Sequence, residues 1–178
     1  MKLRTRTYSG STSSEVTARE TINRQLSRRA AAEGVVLLKN EGVLPVALDM
    51  PIAIYGNGIA QIIKGGTGSG DVNSRNVVSM LDGLKDAGYT IVNETSARKY
   101  MEDYERAGKE WGAEVLKRID SLSAESTMEF FGVLSKTPKE EVKEIAVVPE
   151  DVKQAKAVVY IISRVAGEGR DRFTKAGD

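Results

Sequence analysis

Four consecutive apolar residues, Ile52 to Tyr55, run into Gly56-Asn57-Gly58, and a second cluster of small residues follows at once in KGGTGSGDVN, Lys64 to Asn73. A β-branched run stopped by glycine reads as a strand. Beyond the loop, Val77, Leu81 and Leu84 recur at helical spacing as far as Ala87, and Gly88 supplies the stop. Strand, glycine loop and helix in that order are half of a βαβ unit. YTIV (89–92) is a second strand, and AVVYII, centred on Val158 to Ile162 and ending at Ser163, is a third. Between them, 97–121 reads as a long, charge-laced helix interrupted weakly by Gly108 and Gly112, and Pro149-Glu150-Asp151 opens a short helix to Ala155. This alternation predicts an α/β fold, a partial doubly wound and mostly parallel sheet with flanking helices. Sheets of that kind carry function in the loops at the carboxyl ends of their strands. Two such loops are expected, Gly56 to Asn73 and Arg164 to Arg172 (RVAGEGRDR), and they are expected on one edge of adjacent parallel strands.

Outside this frame the pattern is simpler. Residues 1–17 are rich in Ser, Thr and Arg with little to bury, and read as an N-terminal arm. From Ala18 to Glu33, Ile22, Leu26 and Ala30 recur at helical spacing and Gly34 ends the run. VVLLKN (35–40) fits either a buried strand or an extension of that helix. The α/β domain is taken as 18–178, with a helical and irregular insertion at about 97–148, of which 123–144 is polar and without clear period.

Composition excludes several classes of chemistry. Lys and Arg number 26 against 25 Asp and Glu, so no global field attracts nucleic acid or an anionic membrane. With neither cysteine nor histidine in the chain, thiolate chemistry, disulfides and the commonest general base and metal ligand are all absent. Acid or base work falls to carboxylates, lysine or tyrosine. The basic, polar N-terminus has no apolar stretch behind it, and no apolar run approaches the ~18 residues of a membrane span. A soluble, cytoplasmic protein is expected.

The glycine-rich loop first suggests a phosphate cradle, because small residues expose backbone N–H groups to an anion. A Walker loop, however, needs Gly-Lys-Ser/Thr, and here Gly70 is followed by Asp71, whose charge repels phosphate. The dinucleotide fingerprint fails too, since Gln61 stands where its third glycine belongs and Glu94 lies too far on for a ribose ligand. The plainer reading is a surface loop whose glycines allow positive φ. In the second loop, Glu168 stands between two glycines among Arg164, Arg170, Asp171 and Arg172. Such a carboxylate is presented without crowding neighbours, although an exposed turn with an ion-paired glutamate would look the same.

Three stretches together carry a resemblance. RRAAAEGVVLLKNEGVLPV (28–46), KGGTGSGDVN (64–73) and IISRVAGEGRDR (161–172) occur in the order found in the second, α/β-sandwich domain of family 3 glycoside hydrolases, and the chain is similar to the β-glucosidase branch. The resemblance implies a retaining β-glycosidase that uses two carboxylates and no metal or organic cofactor. Its nucleophile sits on a (β/α)8 barrel domain, and its acid/base glutamate on this sandwich domain. Glu168 matches the acid/base position. Lys64, Gly66, Thr67, Ser69 and Asp71 fall on the family loop that closes over the barrel mouth, with Ser69 as a hydroxyl contact to the sugar. A β-linked glucoside or oligosaccharide is the implied substrate.

In such an enzyme the acid's pKa must be raised, so Arg164, Arg170 and Arg172 are expected to turn from Glu168 toward Asp171 or the domain interface. The chain contains no barrel, and the family domain continues past the acid/base loop. A fragment or truncated frame of a sandwich-first, permuted member is therefore expected, inactive alone, with an open sheet edge. The other readings are a non-catalytic carbohydrate-binding or scaffold remnant and, less favoured, a nucleotide-binding α/β domain.

Overall fold

A computed structural model describes residues 14–65, 70, 77–122, 129–130, 132–133 and 141–167. The chain divides into two units, Met1–Pro45 and Val46–Asp178.

In the first unit, helix α1 spans Ala18–Glu33. Thr17 starts it with a capping box: its hydroxyl accepts from the Glu20 N–H, and the Glu20 carboxylate accepts from the Thr17 N–H at 2.7 Å. Gly34 ends the helix as its spacing predicts. No residue of α1 is buried, and VVLLKN is neither strand nor helix: Val35 to Leu38 run irregular and exposed, Leu38 at 92%. Asn40 organises the turn that follows, its Oδ1 accepting from the N–H groups of Gly42 and Leu44 and its Nδ2 donating to the Leu44 carbonyl. The Leu44–Pro45 peptide is cis.

The second unit is built on strand β1, Ile52–Tyr55, with all four residues buried. Ile52 and Ile54 join Ile59, Leu81, Ile91, Ala97 and Tyr100 in one apolar cluster. Each fully buried aliphatic side chain of this kind contributes about 1.5–3 kcal/mol. Helix α2 is Met80–Asp86, three residues shorter at its start than the apolar period from Val77 suggests, because Ser79 caps it by accepting from the Asp82 N–H. The expected strand at YTIV is reduced to one parallel bridge, Ile91 to Ile52, flanked by hydrogen bonds from Ile52 N–H to Thr90 and from Val92 N–H to Ile52. Asn93 then takes over the pairing: its buried side-chain amide donates to the Ile54 carbonyl at 2.7 Å and accepts from the Ile54 N–H at 3.0 Å. A side chain here does the work of another strand residue.

Helix α3, Glu94–Asp120, continues through Gly108 and Gly112 without a break, and buries Ala97, Tyr100, Ala107 and Val115. Glycine weakens a helix by about 1 kcal/mol relative to alanine. Tertiary burial and a ladder of i,i+4 ion pairs, Lys99–Asp103 and Glu114–Arg118 among them, outweigh that cost. Pro149 opens α4, Pro149–Gln154, and β2 follows as Ala157–Tyr160. β1 and β2 are adjacent and parallel, Ile52 facing Ala157 and Tyr55 facing Tyr160. The spatial order is therefore the Ile91 segment, β1, β2. The chain steps to one side of β1 and returns to the other, and this reversal marks the switch point of a doubly wound sheet.

Candidate active site

At a switch point the loops leaving two neighbouring parallel strands diverge and leave a crevice beyond their carboxyl ends. Here those loops follow β1 and β2, and they are stitched together where they begin. A short 3-10 turn, Asn57–Ile59, follows β1. The Asn57 side chain donates to the Ser163 carbonyl and accepts from the Ser163 N–H, both at 2.8 Å, while Gly58 N–H donates to the Ile161 carbonyl at 2.9 Å. The amide of Asn57 thus extends the β1–β2 pairing past the end of both strands.

The glycines around it have a steric reason. Gly56 has φ +92°, ψ 161°, a region open in practice to glycine alone, and a Cβ there would collide with the Ile161 carbonyl. A Cβ on Gly58 would strike the Ile161 side chain. Gly56-Asn57-Gly58, in sequence a partial dinucleotide fingerprint, is in structure a clamp on the exit of β2. Asn57 is the residue that sequence reasoning missed. Its flanking glycines after a strand were the signal, but nothing local says that their neighbour is a strand one hundred residues on.

Farther along the first loop the backbone closes on itself: a Cβ at Gly65 would collide with the Gly70 carbonyl, and one at Gly70 with the Gly65 carbonyl. The two glycines that bracket the middle of the loop are required by that contact. Lys64 is exposed beside them, and on the second loop Arg164 is exposed immediately after the clamped Ser163. Gly66, Thr67, Ser69, Asp71, Glu168, Arg170, Asp171 and Arg172 lie outside the described residues.

A cavity of 520 Å³ opens next to the first loop, lined by Ala60, Ile62, Val77, Met101 and Tyr104. Its walls are largely apolar. The polar groups at its rim are engaged elsewhere, Asp82 with Ser79 and Arg98, and Glu105 with Lys109. Among the described residues it shows no convergent set of hydrogen-bonding groups of the kind a sugar ring needs. Glu94 is held below the usual carboxylate range by hydrogen bonds from Lys85 and then Arg98, which makes it a structural anion between α2 and α3. Among the described residues no group of three or more carboxylates is arranged to hold a metal ion, and no helix is long and apolar enough to cross a membrane.

Residues 35–177 match the glycosyl hydrolase family 3 C-terminal domain. This chain belongs to glycoside hydrolase family 3. A β-glucosidase from Ruminococcus albus is 32% identical over 156 residues, covering 82% of this chain and 14% of that protein, and β-glucosidase A from Butyrivibrio fibrisolvens is 40% identical over 80 residues, covering 44% and 10%. Among solved structures, β-glucosidase 3B from Thermotoga neapolitana, in complex with α-D-glucose, superposes with a TM-score of 0.63 at 31% identity, covering 91% of this chain and 20% of that one. The family 3 chain thus spans between a tenth and a fifth of the length of these relatives. The α/β class and the family expected from sequence both hold.

Proposed function

We propose that this chain is the acid/base-bearing part of a retaining β-glucosidase, with Glu168 as the acid/base and the nucleophilic carboxylate on a barrel domain outside it. The observation that supports the reading is the clamp: Asn57 holds Ser163, on the loop that leads to Glu168, against the strand that leads to the glycine-rich loop. Both loops therefore start from one edge of the sheet, at its switch point. Family membership and the β-glucosidase relatives support the choice of chemistry.

In this mechanism the Glu168 carboxylic acid gives its proton to the glycosidic oxygen as the barrel carboxylate attacks the anomeric carbon. The C–O bond breaks, the aglycone departs as an alcohol, and a glycosyl ester forms. Glu168, now a carboxylate, takes a proton from water. The water oxygen attacks the same carbon and the ester bond breaks, which regenerates both groups. Lys64, Gly66, Thr67, Ser69 and Asp71 line the sugar on the facing loop, with the Ser69 hydroxyl as one hydrogen-bonding group. Arg164, Arg170 and Arg172 turn toward Asp171 or the domain interface. No cofactor enters.

The test joins the chain to a family 3 barrel domain and compares leaving groups. Glu168→Gln should lose roughly 10²- to 10⁴-fold on substrates with poor leaving groups and much less on activated aryl glucosides. Azide, which needs no base, should restore turnover in Glu168→Gly and yield the β-glycosyl azide. Asp171→Asn serves as control, with altered stability only. Rescue of Asp171→Gly but not of Glu168→Gly would move the assignment to Asp171.

A further inference from the structure

Asn57 reaches farther than sheet pairing requires. Ile161 is registered against β1 by backbone alone, donating from its N–H to the Tyr55 carbonyl at 2.8 Å and accepting from the Gly58 N–H at 2.9 Å. Ser163 stands beyond the end of β2, and one side chain takes both of its backbone groups. The amide that takes them is itself held: Asn57 Nδ2 also donates to Gln61 Oε1 at 3.4 Å, so its two hydrogens and its oxygen each have a partner. Turned over, the amide would set oxygen against the Ser163 carbonyl. Asn57, Gln61 and Ser163 are each half-buried, which limits the competition of water for these bonds. The arrangement fixes the direction in which the chain leaves the sheet.

We propose that Asn57 is a positioning residue for acid/base catalysis, acting through Ser163 on the loop that carries Glu168; this rests on the assignment of Glu168 made above. Glu168 follows Ser163 by five residues, a span of at most about 17 Å, so a carboxyl at its end inherits any freedom at its start. Gly167 and Gly169, on either side of Glu168, impose little direction of their own. Direction has to come from outside the tripeptide. Protonating a departing oxygen needs heavy atoms about 2.6–3.2 Å apart, and a misplacement of about 1 Å lowers a rate by as much as 10²-fold. The first loop continues from β1 by its own backbone. Loss of the Asn57 amide therefore spares the sugar-facing loop and strikes proton transfer.

On the full chain, Asn57→Ala and Asn57→Ser, the second too short to reach both groups, should speed amide exchange at Ser163 about tenfold or more while Ile161 keeps its protection and circular dichroism is unchanged. Joined to the barrel domain as above, the same variants should lower kcat/KM roughly ten- to a hundredfold for alkyl glucosides and less than about threefold for nitrophenyl glucosides, which depart with little protonation. Leu81→Val, a core truncation on α2, should lower the melting temperature and leave that selectivity unchanged. In a Glu168→Gln background the Asn57 variants should add less than about threefold, because the group they position is no longer an acid. Glu168→Gln alone separates the two claims: if it shows no dependence on the leaving group, the assignment of Glu168 falls and this proposal with it. With Glu168 upheld, no loss in the Asn57 variants, a loss uniform across leaving groups, a full further loss in the Glu168→Gln background, or lost protection at Ile161 would overturn the positioning role.

Discussion

β1 and β2 are nearly the same strand in sequence, IAIY against AVVY, four residues each and each made of one alanine, two β-branched residues and a tyrosine. Their fates differ. β1 buries every side chain on both faces, while β2 only half-buries Ala157 and Val159 and leaves Val158 and Tyr160 half in water. The cause is position: β1 has the Ile91 bridge and Asn93 on one side and β2 on the other, whereas among the described residues β2 has a neighbour on one side only. Apolar composition brings a strand into the sheet. How much of it is buried depends on what the rest of the chain places beside it.

Truncation across the pair should give the largest effect. Ile54→Ala removes a fully buried side chain and should cost about 2–5 kcal/mol, whereas Val158→Ala, cut from a half-exposed site, should stay under about 1 kcal/mol, both read from urea unfolding. Equal losses would mean that the strands are equally buried in solution and would break the comparison.

Two glycines sharpen it next. Gly42 and Gly56 both have φ +92°, but a Cβ at Gly42 meets nothing within 4 Å, while one at Gly56 meets the Ile161 backbone. Gly42→Ala should cost only the backbone term of about 1 kcal/mol. Gly56→Ala should cost about 1–3 kcal/mol in strain, with added loss as β2 is pushed from β1. Faster amide exchange at Ile161 and Ser163 in Gly56→Ala, and not in Gly42→Ala, is the expected signature.

A smaller effect of opposite sign is expected at Tyr55. Its hydroxyl is buried without a hydrogen-bond partner among the described residues, whereas Tyr160, its neighbour in register, donates to Glu144. Tyr55→Phe removes an unsatisfied polar atom and should leave the protein as stable or up to about 1 kcal/mol more so. A loss of more than that in chemical denaturation would show that the hydroxyl has a partner.

The smallest effect belongs to α3. Hydrogen bonds from cations depress the carboxyls of Glu94 (Lys85, then Arg98), Asp103 (Lys99, then Arg106), Glu105 (Lys109) and Glu114 (Arg118). Depressed acids stabilise the fold above their ordinary values and lose that contribution as the pH falls from about 4.5 toward their lowered ones. The melting temperature should decline shallowly in that window, and less at high salt because these pairs are exposed. Tyr100 acts at the other end: burial first, then Glu144, raises its pKa, so its contribution is present below pH 10 and fades as the pH climbs past it. A melting temperature that is flat on both sides would contradict these assignments.

Local chemistry made much of this legible in advance. Ile52 to Tyr55 formed the strand read from its β-branched run, α1 ended at Gly34, Pro149 opened α4, and three separated motifs named the family. Each depends on neighbours within a few residues, where backbone sterics and capping act. The misreadings have one origin. VVLLKN is as apolar as a core strand and yet lies exposed, YTIV yields to Asn93 after a single bridge, and Gly108 and Gly112 do not interrupt α3. In each case a contact distant in sequence, or its absence, outweighs a local preference worth at most about 1 kcal/mol. The clamp has the same origin: no pattern within the chain announces that Asn57 reaches Ser163. Sequence alone determined the strand at Ile52–Tyr55, the end of α1 at Gly34, the start of α4 at Pro149, and the family to which the chain belongs. Tertiary structure alone decided which strand is central and which loops share an edge, because burial and hydrogen bonding between distant segments are properties of their placement and not of their composition.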